Sequence, residues 1–192
     1  MKMNQTARAG SQQRTANAMR LKAWVGILAW AAALPAFLPG FVAAAADAPA
    51  RMERLAEPVD LQQESRHMAL HGMPMVVLYS QADCRYCDQV RTHLLPMARE
   101  QATQPAERQH ALFRQVNLDS NAPLTDFSGR PTTQSAFSKA QAIRFTPTVV
   151  VYGPDGRTLG EPILGVRIPD FYSQYVEQAI GQAREALRAQ RP

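Results

Sequence analysis

The run Met75-Val76-Val77-Leu78-Tyr79-Ser80-Gln81-Ala82-Asp83-Cys84-Arg85-Tyr86-Cys87 constrains this chain more than any other stretch. Its first half is apolar and β-branched, the pattern of a buried strand. A short polar loop leads into Cys84-x-x-Cys87, and beyond it Val90, Leu94 and Met97 recur at helical spacing. Strand, loop and helix together set Cys84 at a helix start, where unpaired N–H groups and the macrodipole favour an anion. A thiolate is such an anion. Cys87 follows about one turn later, within reach of a disulfide to Cys84. The pair suggests dithiol–disulfide exchange, in which one sulfur attacks and the other resolves the mixed disulfide.

The 192 residues suffice for one domain with extensions and are too few for two ordinary ones. Two cysteines cannot make a disulfide scaffold; at this spacing, beside a strand–helix pattern, they read as a redox pair. The formal charge of +5 hints at nucleic acid, but its position removes the hint. Lys2, Arg8, Arg14, Arg20 and Lys22 precede residue 47, where no acid occurs, and the remaining 16 basic residues face 16 acidic ones. No basic patch argues for a nucleic-acid partner.

Residues 1–22 are polar and basic, and Ala23 to Ala46 are free of charge. Leu21, Trp24, Val25, Ile27, Leu28 and Trp30 make an apolar core, interrupted by Pro35, Pro39 and Gly40 and ended by Ala44-Ala45-Ala46. This predicts a signal peptide over residues 1–46, with Asp47 as first mature residue. The alternative is an uncleaved anchor helix, since the charge-free run could span a bilayer. Both place the domain outside the cytoplasm, most naturally in a bacterial periplasm, where disulfides persist.

Residues 47–71 read as a linker and then a helix from about Asp60 to His71, and residues 72–190 as the main domain. His67 and His71 lie one turn apart, but no third ligand is nearby, so a solvated helix face is expected and no metal site. The helix after Cys87 should run to about Glu100, kinked at Pro96, with His93 exposed. Ala111 to Leu118 alternates as a half-buried strand. A connection from Asp119 to Pro131 precedes a helix over Thr132 to Ala142, with Ala136, Phe137 and Ala140 inward. Thr146-Pro147 opens a strand over Thr148 to Tyr152, because a proline suits a strand start. Gly153-Pro154-Asp155-Gly156 reads as a hairpin turn returning through Arg157 to Leu164. Pro169 starts a last helix that buries Tyr172, Val176, Ala179, Ala183 and Leu187.

Cys84-x-x-Cys87 after a hydrophobic strand, with Phe145-Thr146-Pro147-Thr148-Val149-Val150-Val151 downstream, resembles the thioredoxin superfamily from about Leu70 to Gln182. The resemblance implies an α/β thioredoxin fold, with a central mixed sheet flanked by helices, here with a helical extension at its N-terminal side. It also implies a cis Thr146-Pro147 bond facing the cysteines, and a glycine, Gly165, that lets backbone approach the active-site loop. Phe127-Ser128-Gly129 with Thr132 and Thr133 resembles periplasmic thioredoxin-like relatives, among them those of sulfur-oxidation clusters. Tyr86 before the second cysteine resembles glutaredoxins and periplasmic disulfide isomerases, and Thr146 resembles the isomerase and reductase branch. One departure stands out: the buried acid that thioredoxins carry six residues before the first cysteine is here Leu78.

The expected activity is that of a periplasmic thiol:disulfide oxidoreductase, reductase or isomerase, without a cofactor. Cys84 is the expected nucleophile and Cys87 the resolving thiol. Arg85 and the helix N-terminus should lower the Cys84 pKa, while Asp83 and Asp88 oppose this, within a range for such thiols of about 3.5 to 7.5. Tyr86, Thr146 and Pro147 would hold a client polypeptide as an added strand is held. Protein or peptide disulfides and a periplasmic redox partner are the expected partners, for a monomer that meets a membrane only through an uncleaved leader. The alternatives are a Cu(I) carrier using the soft thiolate pair and a thioredoxin-like binding module without turnover.

Overall fold

The computed structural model describes residues 53–166 and 168–190. The predicted signal peptide and the start of the linker lie outside them.

The element order is α1 (Leu61–His71), β1 (Met75–Ser80), α2 (Arg85–Thr103), β2 (Leu112–Asn117), β3 (Pro123–Thr125), β4 (Pro131–Thr133), α3 (Gln134–Ala140), β5 (Thr148–Tyr152), β6 (Ile163–Leu164) and α4 (Tyr172–Ala189). One sheet organises them, in the order β2-β1-β5-β6. β1 runs parallel to β2 and antiparallel to β5, which pairs antiparallel with β6. This is the mixed sheet of a thioredoxin fold.

β1 sits at the centre, and every one of its residues is buried. Successive strand side chains point to opposite faces, so β1 feeds two cores at once. Val76 and Leu78 join Val90 and Leu94 of α2 and Tyr172, Val176, Ile180 and Ala183 of α4. Met75, Val77 and Tyr79 join Leu61 and Met68 of α1 and Phe137 of α3. Burying such a side chain is worth about 1.5–3 kcal/mol, so a continuous apolar run is what a strand covered on both faces requires.

Several boundaries differ from the sequence expectation. The connection after β2 contains a two-stranded antiparallel ribbon, β3 with β4, and Thr133 caps α3 rather than lying inside it. α3 is therefore short; it buries Gln134, Phe137 and Ser138, while Ala136 and Ala140 are exposed. The return from the hairpin pairs at Thr158 with Tyr152, then leaves the ladder until β6. Gly160, at φ +91°, and Pro162, which lacks an N–H, interrupt it. In α4 the buried stripe passes through Ile180, and Ala179 and Leu187 are only partly covered. α2 continues past Pro96 to Thr103. His93 is half-buried, its ring 5.5 Å from that of Tyr172 and Nδ1 3.3 Å from the Ser173 hydroxyl.

Residues 53–59 carry no helix or strand, yet they are docked. Leu55 is buried in the α2/α4-side core, and the Gln115 N–H donates to the Ala56 carbonyl at 3.0 Å. The segment thus runs along the outer edge of β2 before Asp60 caps α1 by accepting from the Gln63 N–H.

Candidate active site

Asp83 turns the chain out of the β1 loop with φ +53°, a left-handed conformation that Asp tolerates better than most residues. The Ala82 N–H is held by Asp119 Oδ2 at 2.8 Å, fixing the loop to the end of β2. Cys84 follows as the N-cap of α2, and the Cys87 N–H donates to its Sγ at 3.2 Å. A sulfur in this position meets the unpaired N–H groups and positive end of a 19-residue helix. The two cysteines are bridged, S–S 2.04 Å, with Cys84 partly exposed and Cys87 fully buried.

Opposite lies the turn before β5. The Thr146–Pro147 peptide bond is cis, and the Thr146 hydroxyl donates toward Cys84 Sγ across 3.7 Å. Pro147 is buried, and its carbonyl accepts from the Gly165 N–H at 2.9 Å, which ties the entry of β5 to the exit of β6. Gly165 holds φ +65°. Tyr86, two residues after Cys84, and Phe145, just before Thr146, are exposed, and Arg85 lies over the Tyr86 ring at 5.7 Å. Cys84, Tyr86, Thr146 and Pro147 therefore gather at one end of the sheet, with Asp83 and Arg85 flanking the helix start. A partly exposed cysteine beside this turn can meet an extended chain. A buried partner sulfur can then close the bridge again.

The sequence matches the thioredoxin-like domain family over residues 61–180. The chain belongs to that family. The thioredoxin-like domain so defined includes α1 as well as the sheet. Among solved structures, the chain is similar to oxidised mitochondrial thioredoxin 3 from Saccharomyces cerevisiae, with 18% identity and TM-score 0.43 over 66% of this chain and 93% of that one. It is also similar to Trxlp from Edwardsiella tarda, with 21% identity and TM-score 0.43 over 62% of this chain and 96% of that one. A third is Fasciola hepatica thioredoxin, with 15% identity and TM-score 0.44 over 67% and 99%. No curated protein matches the sequence. A thioredoxin-like fold carrying a bridged Cys-x-x-Cys pair supports thiol–disulfide oxidoreductase chemistry at the general level.

Beneath the cysteines lies a polar group that sequence reasoning missed. Arg91 is only 3% exposed. Its Nε donates to Gln115 Oε1 at 2.8 Å, one terminal nitrogen to the Ser80 hydroxyl at 2.7 Å, and the other to the Asp88 carboxylate. Burial pulls the guanidinium pKa down, Asp88 pushes it back up, and Arg54 lowers it through like charge. Gln115 donates onward to Asn117 Oδ1 at 2.8 Å, and Glu57 accepts from both Asn117 Nδ2 and Gln134 Nε2 at 2.8 Å. A signal existed: Cys87, Val90, Arg91 and Leu94 form one helical stripe, so Arg91 occupies an inward position on a face that is otherwise apolar. Leu78, in the place of the thioredoxin acid, is fully buried and pairs in register with Gln115.

Among the described residues, no group of three or more His, Cys, Asp or Glu side chains is placed to hold a metal ion. Nor is any helix there long and apolar enough to cross a membrane.

Proposed function

We propose that this protein reduces or isomerises protein disulfides outside the cytoplasm, with Cys84 as nucleophile and Cys87 as resolving thiol. The observation that carries the reading is the partly exposed Cys84, its sulfur capping α2 and 3.7 Å from the Thr146 hydroxyl beside cis Pro147. In the reduced protein the Cys84 thiolate attacks one sulfur of a client disulfide, and the other client sulfur leaves as a thiolate. The Cys87 thiolate then attacks Cys84 Sγ, releasing the second client thiolate and restoring the Cys84–Cys87 bridge. The client gains two electrons; a separate dithiol reductant returns them to the pair. When resolution is slow, the mixed disulfide can be displaced by another client thiol, which gives isomerisation.

Tyr86, Thr146 and Pro147 would line the client, with main-chain hydrogen bonds at residue 146 supplying broad specificity. Arg85 supports the Cys84 thiolate and Asp83 opposes it. The charge-free leader supports export, and the resemblance of Tyr86 and Thr146 to isomerase and reductase motifs supports the direction.

Insulin reduction driven by a dithiol is the test. The wild-type protein should accelerate it, and Cys84→Ala should return the rate to that of the reductant alone. Equal rates in both proteins would leave a thioredoxin-like module without turnover. A redox titration then fixes direction: a potential between the roughly −270 mV of thioredoxin and the −180 mV of isomerases fits, and one near −120 mV contradicts reduction.

A further inference from the structure

Thioredoxin-type chemistry needs the resolving sulfur as an anion, yet full burial of Cys87 disfavours charge there. Leu78 supplies no acid to accept its proton. We infer that Arg91 is the positioning residue that resolves this conflict, its buried guanidinium holding Cys87 as a thiolate once the bridge is reduced. The inference rests on the proposed exchange chemistry and names how its second step is driven.

Geometry is the main support. Residues four apart on a helix have Cβ atoms about 5–6 Å apart, and helical side chains lean toward the N-terminus. Arg91 therefore leans toward the turn that holds Cys87, and its bonds to Asp88, the next residue, and to Ser80 at the end of β1 draw the guanidinium the same way. Three side chains on three elements fix it: Asp88 on α2, Ser80 on β1 and Gln115 on β2. A side chain that only filled space would need none of these three N–H···O bonds, and a Leu here would continue the apolar stripe.

Charge balance is the second support. Among the described residues the only carboxylate bonded to Arg91 is Asp88, whose side chain is 40% exposed and so shared with water. Glu57 lies further off, reached through Gln115 and Asn117. Arg54 adds like charge, Asp83 lies in the Cys84 loop, Asp119 after β2 accepts from the Ala82 N–H of that loop, and α4 contributes the neutral Tyr172 to this core. Burial makes an incompletely balanced cation costly, and an anionic sulfur one turn away offsets that cost. Reduction consumes two electrons from the dithiol donor and leaves two sulfurs. With Arg91 in place the inner one keeps no proton, so the proton leaves to solvent and no buried base is required. A stabilised reduced form also makes the pair more oxidising.

The test titrates Cys87 alone, in a Cys84→Ser protein, by the ultraviolet absorbance of the thiolate. This readout does not depend on insulin reduction, so the two readings fail separately. The half-titration point should fall below the free-cysteine value of about 8.5 in spite of burial. Arg91→Gln on that background should lower the thiolate fraction at least tenfold, and Arg91→Lys, which keeps the charge, should bring it back to within about threefold. In the protein with both cysteines, Arg91→Gln should shift the equilibrium with glutathione at least tenfold toward the disulfide. A half-titration point at or above about 8.5 in the parent overturns the inference, even if the glutamine variant does not fold. So does an equal response of the Gln and Lys variants, which is what a purely structural role predicts.

Discussion

Gly156 and Gly165 both lie in the left-handed region, at φ +76° and +65°, but their surroundings differ. A Cβ on Gly156 would meet Phe127 Cβ and Cγ at 2.8 Å, and Phe127 is wedged against Phe137 and Tyr152 with ring centroids 6.2 and 5.4 Å away. A Cβ on Gly165 would meet nothing within 4 Å. Gly165→Ala therefore carries the backbone cost alone, about 1–2 kcal/mol, whereas Gly156→Ala adds an overpacking cost of about 1–3 kcal/mol. Urea unfolding of the two variants should show the larger loss in Gly156→Ala. The reverse order would mean that the hairpin tip moves away from Phe127 more easily than the β6 exit changes conformation. Gly165 is also the residue whose N–H holds Pro147, so its alanine variant should lose client reduction out of proportion to its loss of stability.

At the scale of elements, the stretch before α1 behaves as part of the sheet. Glu57 is exposed as a residue, yet its two carboxylate oxygens accept from Asn117 and Gln134, which are 6% and 1% exposed. Removing an acceptor strands a buried donor at about 1–3 kcal/mol. With two donors stranded, Glu57→Ala should thus cost about 2–6 kcal/mol, less any water that enters, while Glu57→Gln, which keeps one acceptor oxygen, should cost roughly half as much. Equal unfolding midpoints for wild type and Glu57→Ala would show that the strap is not coupled to β2. None of this could be read from the chain, because Glu57 and its partners are 60 and 77 residues apart, and only topology brings them together. The same reason hid the β3–β4 ribbon and the buried face of α3, where Gln134 points inward because Asn117 donates its N–H to Gln134 Oε1 at 2.7 Å. What was legible was local: the β1 run, the cysteine spacing, the Pro147 strand start and the Gly-Pro-Asp-Gly turn each fix a conformation within a few residues. The Asp88–Arg91–Gln115 chain failed that standard, since polar side chains on a helix and a strand read as solvated until their partners are seen.

At the scale of the whole molecule, two helical layers close on one sheet, and the α1/α3 layer meets it through a pair of tyrosines. The Tyr79 and Tyr152 hydroxyls are 2.7 Å apart, and Tyr152 reaches Gln141 Oε1 at 3.4 Å. Burial pushes the Tyr79 pKa well up, and charge repulsion and the hydrogen bond with Tyr152 push it further, as expected if Tyr79 donates. Burial likewise raises Tyr152, to about 12, although its bond with Tyr79 pulls the other way. Tyr172, on the opposite layer, is raised by burial as well. A folded-state pKa above the unfolded value of about 10 means that folding favours the protonated phenol. The associated stability is fully present below about pH 10 and is lost as pH rises through about 10 toward 12 and beyond.

The pair also predicts an ordering of variants, because leaving one buried partner costs more than removing both. Tyr152→Phe strands the Tyr79 donor and should cost about 1–3 kcal/mol at neutral pH. Tyr79→Phe leaves Tyr152 its bond to Gln141 and should cost less. The double variant fills the same volume with apolar rings and should lie close to wild type at neutral pH, since two phenyl groups need no partner. Above pH 10 the order inverts. The double variant no longer has to deprotonate either phenol in the core, so its stability should decline more slowly than wild type, with Tyr172 alone contributing what remains of the buried-tyrosine loss. Urea midpoints at neutral pH and near pH 11 measure both effects in one series. If the double variant lost stability with pH as steeply as wild type, the alkaline limit of this fold would belong to other groups, and the two tyrosines would join the layers by packing alone.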